Sequence, residues 1–158
     1  MLTALLLCGP AQADPYLGLM LGSAHIGNDE LNGFSPGLSL GGRGPLAGGG
    51  ELAVEGGVFW NSYEEVAPFL AYAATHEVIE VTRDVALRAG PLVAFARYAT
   101  LAPRLERRYG IPNVEGFIPV AGLMTQIRYR DTTDLRIITV PPGDDADLIL
   151  AVTLAFGF

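Results

Sequence analysis

From Leu148 onward, large apolar residues fill every second position: Leu148, Leu150, Val152, Leu154, Phe156 and Phe158. Between them stand Ile149, Ala151, Thr153, Ala155 and Gly157, mostly small. A period of two sends successive side chains to opposite faces, so this stretch predicts a β-strand with two unlike faces. The same alternation runs through Leu17, Leu19 and Leu21, through Leu38 and Leu40, and through Glu51 to Asn61, where Leu52, Val54, Val58 and Trp60 oppose Glu51, Glu55 and Asn61. It recurs, more weakly, in Val66 to Thr75. Val85 to Phe95, Phe117 to Tyr129 and Leu135 to Val140 complete a set of eight. Strands of roughly 9–11 residues suit the hydrocarbon thickness of a bilayer when tilted.

A sheet in hydrocarbon cannot leave backbone N–H and C=O groups unpaired, so eight such strands must close on themselves. The expected fold is all-β: an eight-stranded antiparallel up-and-down transmembrane β-barrel over 14–158. An even count returns both termini to one side. The outer connections are then expected near Ala24–Ser35, Asn61–Glu65, Ala96–Gly116 and Pro141–Asp147. The opposite turns fall near Arg43–Gly50, Glu77–Asp84 and Arg130–Asp134.

Charge inside the strands sharpens the expectation. An arginine facing lipid at the midplane costs roughly 2–4 kcal/mol, so Arg88, Arg128 and Arg136 are expected to point into the lumen with Glu51 and Glu55. Buried charges of both signs pair rather than stand alone. A barrel this narrow is filled by side chains rather than open. Tyr16, Trp60, Tyr63, Tyr72, Tyr98, Tyr129 and Phe158 are expected to form aromatic girdles at the two interfaces.

Composition agrees with a membrane solution. Half of the 158 residues are hydrophobic, 17% are charged, and the net charge is −7. All ten basic residues are arginine, against 17 acids, which argues against a nucleic-acid partner. The lone Cys8 excludes a disulfide framework and a cysteine zinc cluster. The longest apolar run, Leu2 to Cys8, is far short of a membrane helix. Residues 1–13 read instead as a cleaved signal peptide, with an apolar core and Ala11-Gln12-Ala13 before Asp14, although no basic residue precedes the core. Export through that signal to the periplasm and outer membrane follows.

The sequence resembles small eight-stranded outer-membrane β-barrel proteins, of the size of the OmpX, OmpA and PagP barrels, and more closely a group of short bacterial and phage-encoded barrels. Ser35-Pro36-Gly37-Leu38-Ser39-Leu40, Gly57-Val58-Phe59-Trp60-Asn61-Ser62-Tyr63, Phe117-Ile118-Pro119-Val120 and the final Phe158 carry the likeness. Where such proteins usually have an aromatic and basic pair after the first motif, Gly41-Gly42-Arg43 keeps only the base. The resemblance implies contact with outer-membrane lipid and lipopolysaccharide, recognition of the Phe158 strand by the barrel assembly machinery, and a monomer.

Candidate chemistry is sparse. Lipid A deacylation or acyl transfer would use a histidine beside a hydroxyl and a carboxylate. Ser23-Ala24-His25 and Thr75-His76-Glu77 offer that locally, and His25, Asp29 and Ser62 offer it across two outer loops. A solvated or girdle histidine is the favoured reading of both His25 and His76. Asp144, Asp145 and Asp147 with Glu64 and Glu65 would suit calcium, but a solvated acidic loop is preferred, so no metal and no cofactor is expected. Arg104, Arg107 and Arg108 match phosphate geometry and are weighed as lipopolysaccharide contacts against ordinary loop solubility. The sequence therefore favours a non-enzymatic outer-membrane barrel with outer loops for surface interaction or envelope stability. A lipid A-modifying acyl hydrolase or acyltransferase comes second, and a small-solute channel third.

Overall fold

The structure, a computed structural model, describes residues 13–28, 31, 33–141 and 147–158. The signal-peptide reading rests on residues 1–12, which, with Cys8, lie outside the described residues, as do Asp29, Asp144 and Asp145. Eight strands follow one another around a closed barrel: β1 (Asp14–Ile26), β2 (Gly37–Leu46), β3 (Gly50–Trp60), β4 (Val66–Thr82), β5 (Val85–Arg97), β6 (Phe117–Tyr129), β7 (Thr133–Val140) and β8 (Leu148–Gly157). Each pairs antiparallel with its chain neighbours. β1 and β8 seal the wall through a register running from Tyr16↔Gly157 to Ile26↔Leu148. Both described ends of the chain therefore lie at one rim, together with the turns that join β2 to β3, β4 to β5 and β6 to β7. The longer connections gather at the other rim.

The wall is inside-out relative to a water-soluble core. Leu38, Leu40, Val58, Leu70, Val93, Phe95, Leu123 and Ile137 all face outward and are exposed. The largest side chains sealed from solvent are instead Arg136, Tyr16, Gln126, Asn61 and Asp134. A chain that hides arginine and shows leucine is built for an apolar surrounding.

Several element boundaries differ from the sequence reading. β1 continues through Ser23 and His25, absorbing the start of the expected first loop. Arg43 and Asp134, assigned to turns, belong to β2 and β7. The real turns are tighter: Gly48 and Gly49 both take φ +81°, a left-handed conformation that glycine accepts without a Cβ penalty. The expected turn over Glu77–Asp84 is mostly strand, because the β-branched run Val78, Ile79, Val81 and Thr82 holds an extended backbone against β5. β3 pairs with β4 only as far as Glu51↔Thr75, so the far end of β4 runs on past β3 with one edge uncovered, while its other edge pairs with β5, itself paired with β6 down to Val85↔Tyr129. Its register slips twice, between Glu77 and Ile79 and between Glu80 and Thr82.

The loop after β5 holds an unexpected helix, α1 (Ala102–Tyr109). Pro103 sits in its first turn, Arg107 and Arg108 oppose the negative end of its dipole, and Gly110 closes it at φ +66°. Ala102 and Leu105 pack on Ile118, with Tyr98, Leu101, Ile111 and Val120 around them. Ile118 and Val120 share the inward side of β6 with Met124, so α1 folds over the long-loop mouth of the barrel.

Leu123 lies at the middle of β6, outward and 60% exposed. Leu123→Arg is expected to lower folding stability in bilayers by about 2–4 kcal/mol, the cost of a cation at the midplane. Reversible denaturant titration of the barrel in lipid measures it.

Candidate functional site: the lumen and its outer mouth

The short-turn half of the lumen is a polar layer assembled from five strands. Asp134 of β7, fully buried, accepts from Arg43 Nη1 at 2.8 Å, from Arg128 Nε and Nη2 at 2.7 and 3.1 Å, and from Arg136 Nη2 at 3.3 Å. Arg128 extends its other edge to Glu51, with Nη1 and Nη2 donating to the two carboxylate oxygens at 2.6 and 2.8 Å. Arg136 reaches Glu55 through Nη1 at 2.9 Å, and the Tyr16 hydroxyl donates to the same oxygen at 3.0 Å. The Ser39 hydroxyl donates to the second Glu55 oxygen, and Arg43 donates to the Asp131 carbonyl. The Arg136 guanidinium also lies 4.4 Å from the Tyr16 ring centroid. Three guanidinium groups thus meet three carboxylates, and the cluster is neutral as a unit. A planar fork serves this better than an ammonium would, because it satisfies two carboxylates at once.

Glu51, Glu55, Arg128 and Arg136 come together in this layer, and Arg43, Asp134, Tyr16 and Ser39 complete it. Arg88 stands apart from its neighbours' pairing. Its nearest carboxylate is Glu77, at 3.9 Å, and its Nη2 donates to the Thr75 carbonyl at 3.3 Å. Tyr16 departs from its expected place in the aromatic girdle: it is fully buried in the lumen, because β1 directs it inward opposite Gly41 and Gly157. Tyr98 likewise sits in the mouth, edge-to-face with Phe59 and Tyr63. Trp60 and Tyr129, near opposite rims, are exposed on the outer wall. Above the polar layer Ala73, Leu92 and Met124 form an apolar plug, flanked by Ala94 and Ile138.

At the long-loop mouth, His25 and Ser62 meet: Ser62 Oγ lies 2.8 Å from His25 Nε2. The other ring nitrogen, His25 Nδ1, is buried with no hydrogen-bond partner among the described residues. A histidine that serves as base needs its second nitrogen oriented and protonated. That orienting group is missing here among the described residues, and Asp29 lies outside them. His76 is remote, exposed at the short-turn end beside Gly50, ten residues along β4 from Val66 at the long-loop end, ~33 Å of extended chain.

Arg104 packs over the Tyr63 ring at 5.7 Å, and Arg108 over Tyr109 at 5.4 Å, while Arg107 and Arg108 project from the exposed side of α1. Of the acidic residues weighed for a cation, Glu65 is engaged elsewhere. Its Oε1 accepts from the Thr100 backbone and hydroxyl at 3.1 and 2.6 Å, and Asn61 donates to Oε2 at 3.4 Å. Among the described residues no three histidine, cysteine, aspartate or glutamate side chains are grouped to hold a metal ion.

Burial alone would raise the Glu65 carboxyl, but the hydrogen bonds from Thr100, Asn61 and Ala99 outweigh it and hold the pKa below the ordinary carboxylate value. A depressed pKa stabilises the fold above the unfolded value of about 4.3 and loses that contribution as pH falls through the folded value. The tether between the β3–β4 loop and the segment before α1 is therefore expected to loosen below about pH 4. Faster amide exchange at Thr100 reports it, and Glu65→Gln flattens the pH dependence. In the lumen, Arg128→Ala strands Glu51 and is expected to cost about 3–5 kcal/mol. Equilibrium unfolding of that variant, set beside the Arg128→Met/Glu51→Leu pair, separates the stranded charge from the loss of the pair.

The sequence matches no known protein family and no curated protein. Solved structures do match the fold. The N-terminal β-barrel domain of OprF from Pseudomonas aeruginosa superposes with a TM-score of 0.52 at 11% identity, covering 93% of this chain and all of that one. Ail from Yersinia pestis, determined in a phospholipid bilayer nanodisc, gives a TM-score of 0.44 at 12% identity over 93% of this chain and all of that one. The chain has the fold of the small eight-stranded outer-membrane barrels.

Proposed function

We propose that this chain is a non-enzymatic, monomeric outer-membrane β-barrel protein, exported through a cleaved signal peptide and occupied with envelope stability or surface interaction rather than with transport. The observation that carries the reading is the neutral ion cluster centred on Asp134, stacked under an apolar plug and an overlying helix. Three successive fillings of one narrow lumen suit a pillar in a membrane, not a conduit. Outside, the exposed leucines and valines of the wall fit acyl chains, and β8 with Phe158 fits recognition by the assembly machinery.

The outer loops supply the contact surface. Arg107 and Arg108 on the exposed side of α1, with Arg104 against Tyr63, suit the phosphates of lipopolysaccharide, because a guanidinium fork donates two parallel N–H bonds to the oxygens of one anion. Planar-bilayer recording tests the closed lumen: the purified barrel is expected to show no sustained single-channel conductance. Steady ohmic openings in the unaltered protein would instead favour the small-solute channel.

A second reading has one observation behind it, the 2.8 Å contact of Ser62 and His25 at the mouth. In an acyl hydrolase Ser62 Oγ would attack an ester carbonyl as its proton passes to His25 Nε2; the ester C–O bond would break with that proton going to the departing alcohol, and water would then hydrolyse the acyl-serine to the free fatty acid and Ser62. Mass spectrometry of lipid A from expressing cells decides between the two. An unchanged acyl pattern supports the non-enzymatic barrel, whereas a change abolished by Ser62→Ala or His25→Ala overturns it.

A further inference from the structure

Five of the ten arginines stand in strands, and parity divides them unevenly. Arg43, Arg88, Arg128 and Arg136 are buried in the lumen. Arg97, the last residue of β5, alone turns outward: it follows the buried Ala96 and shares its face with Val93 and Phe95, each 52% exposed. An outward arginine is expensive at the bilayer midplane and nearly free at the interface. Arg97 stands at that depth, on the long-loop rim, paired with Phe117 at the start of β6.

The side chain is held rather than loose. Its Nε donates to the Glu115 carbonyl at 3.4 Å. The loop backbone at Gly116 closes on its stem, so near that a Cβ there would lie 3.4 Å from Arg97 Cγ. Nη1 and Nη2 are left for something else. Among the described residues no carboxylate is paired with this guanidinium, whereas Arg88 and Arg130 have one at 3.9 and 3.5 Å.

Below Arg97 the wall is apolar. Val93 and Phe95 continue its column down β5, and Leu70 of β4 and Pro119 of β6 flank Phe95 in the register. An unpaired cation at the head of an apolar column is complementary to an anion that carries acyl chains. The long-loop rim of an outer-membrane barrel faces the lipopolysaccharide leaflet. There the lipid A anchor bears its phosphates on the same sugars from which its acyl chains descend. One molecule therefore offers a phosphate to Arg97 and a chain to Val93 and Phe95 together. The free edge of the guanidinium suits that phosphate, because two parallel N–H groups match two of its oxygens.

We propose that the outer wall around Arg97 is a docking site for lipid A, its phosphate held by Nη1 and Nη2 and an acyl chain laid along the β5 column. This site lies on the wall, apart from the arginines of α1 over the mouth, and it rests on the outer-membrane reading for the identity of the leaflet.

Native mass spectrometry of the refolded full chain in detergent, titrated with purified diphosphoryl lipid A, tests it. A saturable adduct is expected, weakened about tenfold by Arg97→Gln through loss of one charge-assisted contact. Arg83→Gln, which removes an exposed arginine at the opposite rim, is expected to leave it unchanged. Heat-modifiable gel mobility confirms that each variant is folded. Should Arg97→Gln not fold, the unaltered protein decides, through tighter binding of lipid A than of phosphatidylglycerol at equal phosphate. Equal affinity for the two lipids, or an adduct untouched by Arg97→Gln, overturns the proposal. A loss produced by Arg107→Gln/Arg108→Gln and not by Arg97→Gln overturns it too, but leaves the loop contact with lipopolysaccharide standing. Channel conductance or acyl loss from lipid A would defeat the non-enzymatic barrel without altering the Arg97 result.

Discussion

A wall one residue thick allows each strand position only two environments, and everything else in this barrel follows from that restriction. Closure pairs the backbone from β1 round to β8, so no strand is left to seek a partner inside the lipid. Side chains then divide by parity. Leu38 and Leu40 go outward while Ser39 goes inward; Ile127 goes outward while Gln126 and Arg128 go inward. The lumen has little room, so most of the polar residues that parity sends there pair with one another. Asp134 serves three arginines at once.

This explains what the sequence made legible. Alternation over Leu148 to Phe158 and over Phe117 to Tyr129 identifies strands and faces, because a period of two is a local property. The partners of those strands are not local. Glu51 and Arg128 are 77 positions apart in the chain, and their meeting depends on the stagger of the whole barrel. Arg43 and Asp134 look like turn residues in the sequence because glycines near one and polar residues near the other imitate loop chemistry. Tyr16 looks like an interface residue because it lies close to a strand end, where nearness to the rim and direction across the wall leave the same trace in the sequence. The helix over the mouth was hidden for another reason: eight residues with two buried positions, Ala102 and Leu105, leave almost no periodic trace.

The lumen and the mouth divide two kinds of chemistry. Below, charge is matched among side chains from five strands, an arrangement that ties those strands to one another across the lumen. Above, Ser62 and His25 share a hydrogen bond while Arg104 leans on an aromatic ring, all within a setting of loops and a short helix. Loops positioned by a rigid scaffold are where binding and catalysis concentrate in proteins generally. The barrel has the geometry of a mount, and the elements at its mouth are what the mount presents.

The end of β4 that runs on past β3 carries Val78, Ile79 and Val81 along a border that β3 does not cover. Such a border ordinarily invites the strand of a neighbouring molecule. Here two irregularities fall within six residues, at Val78 and Val81, so the spacing of donors and acceptors never settles into the even ladder an incoming strand would need. Crowded side by side in a bilayer, these molecules have a built-in discouragement against zipping into polymers.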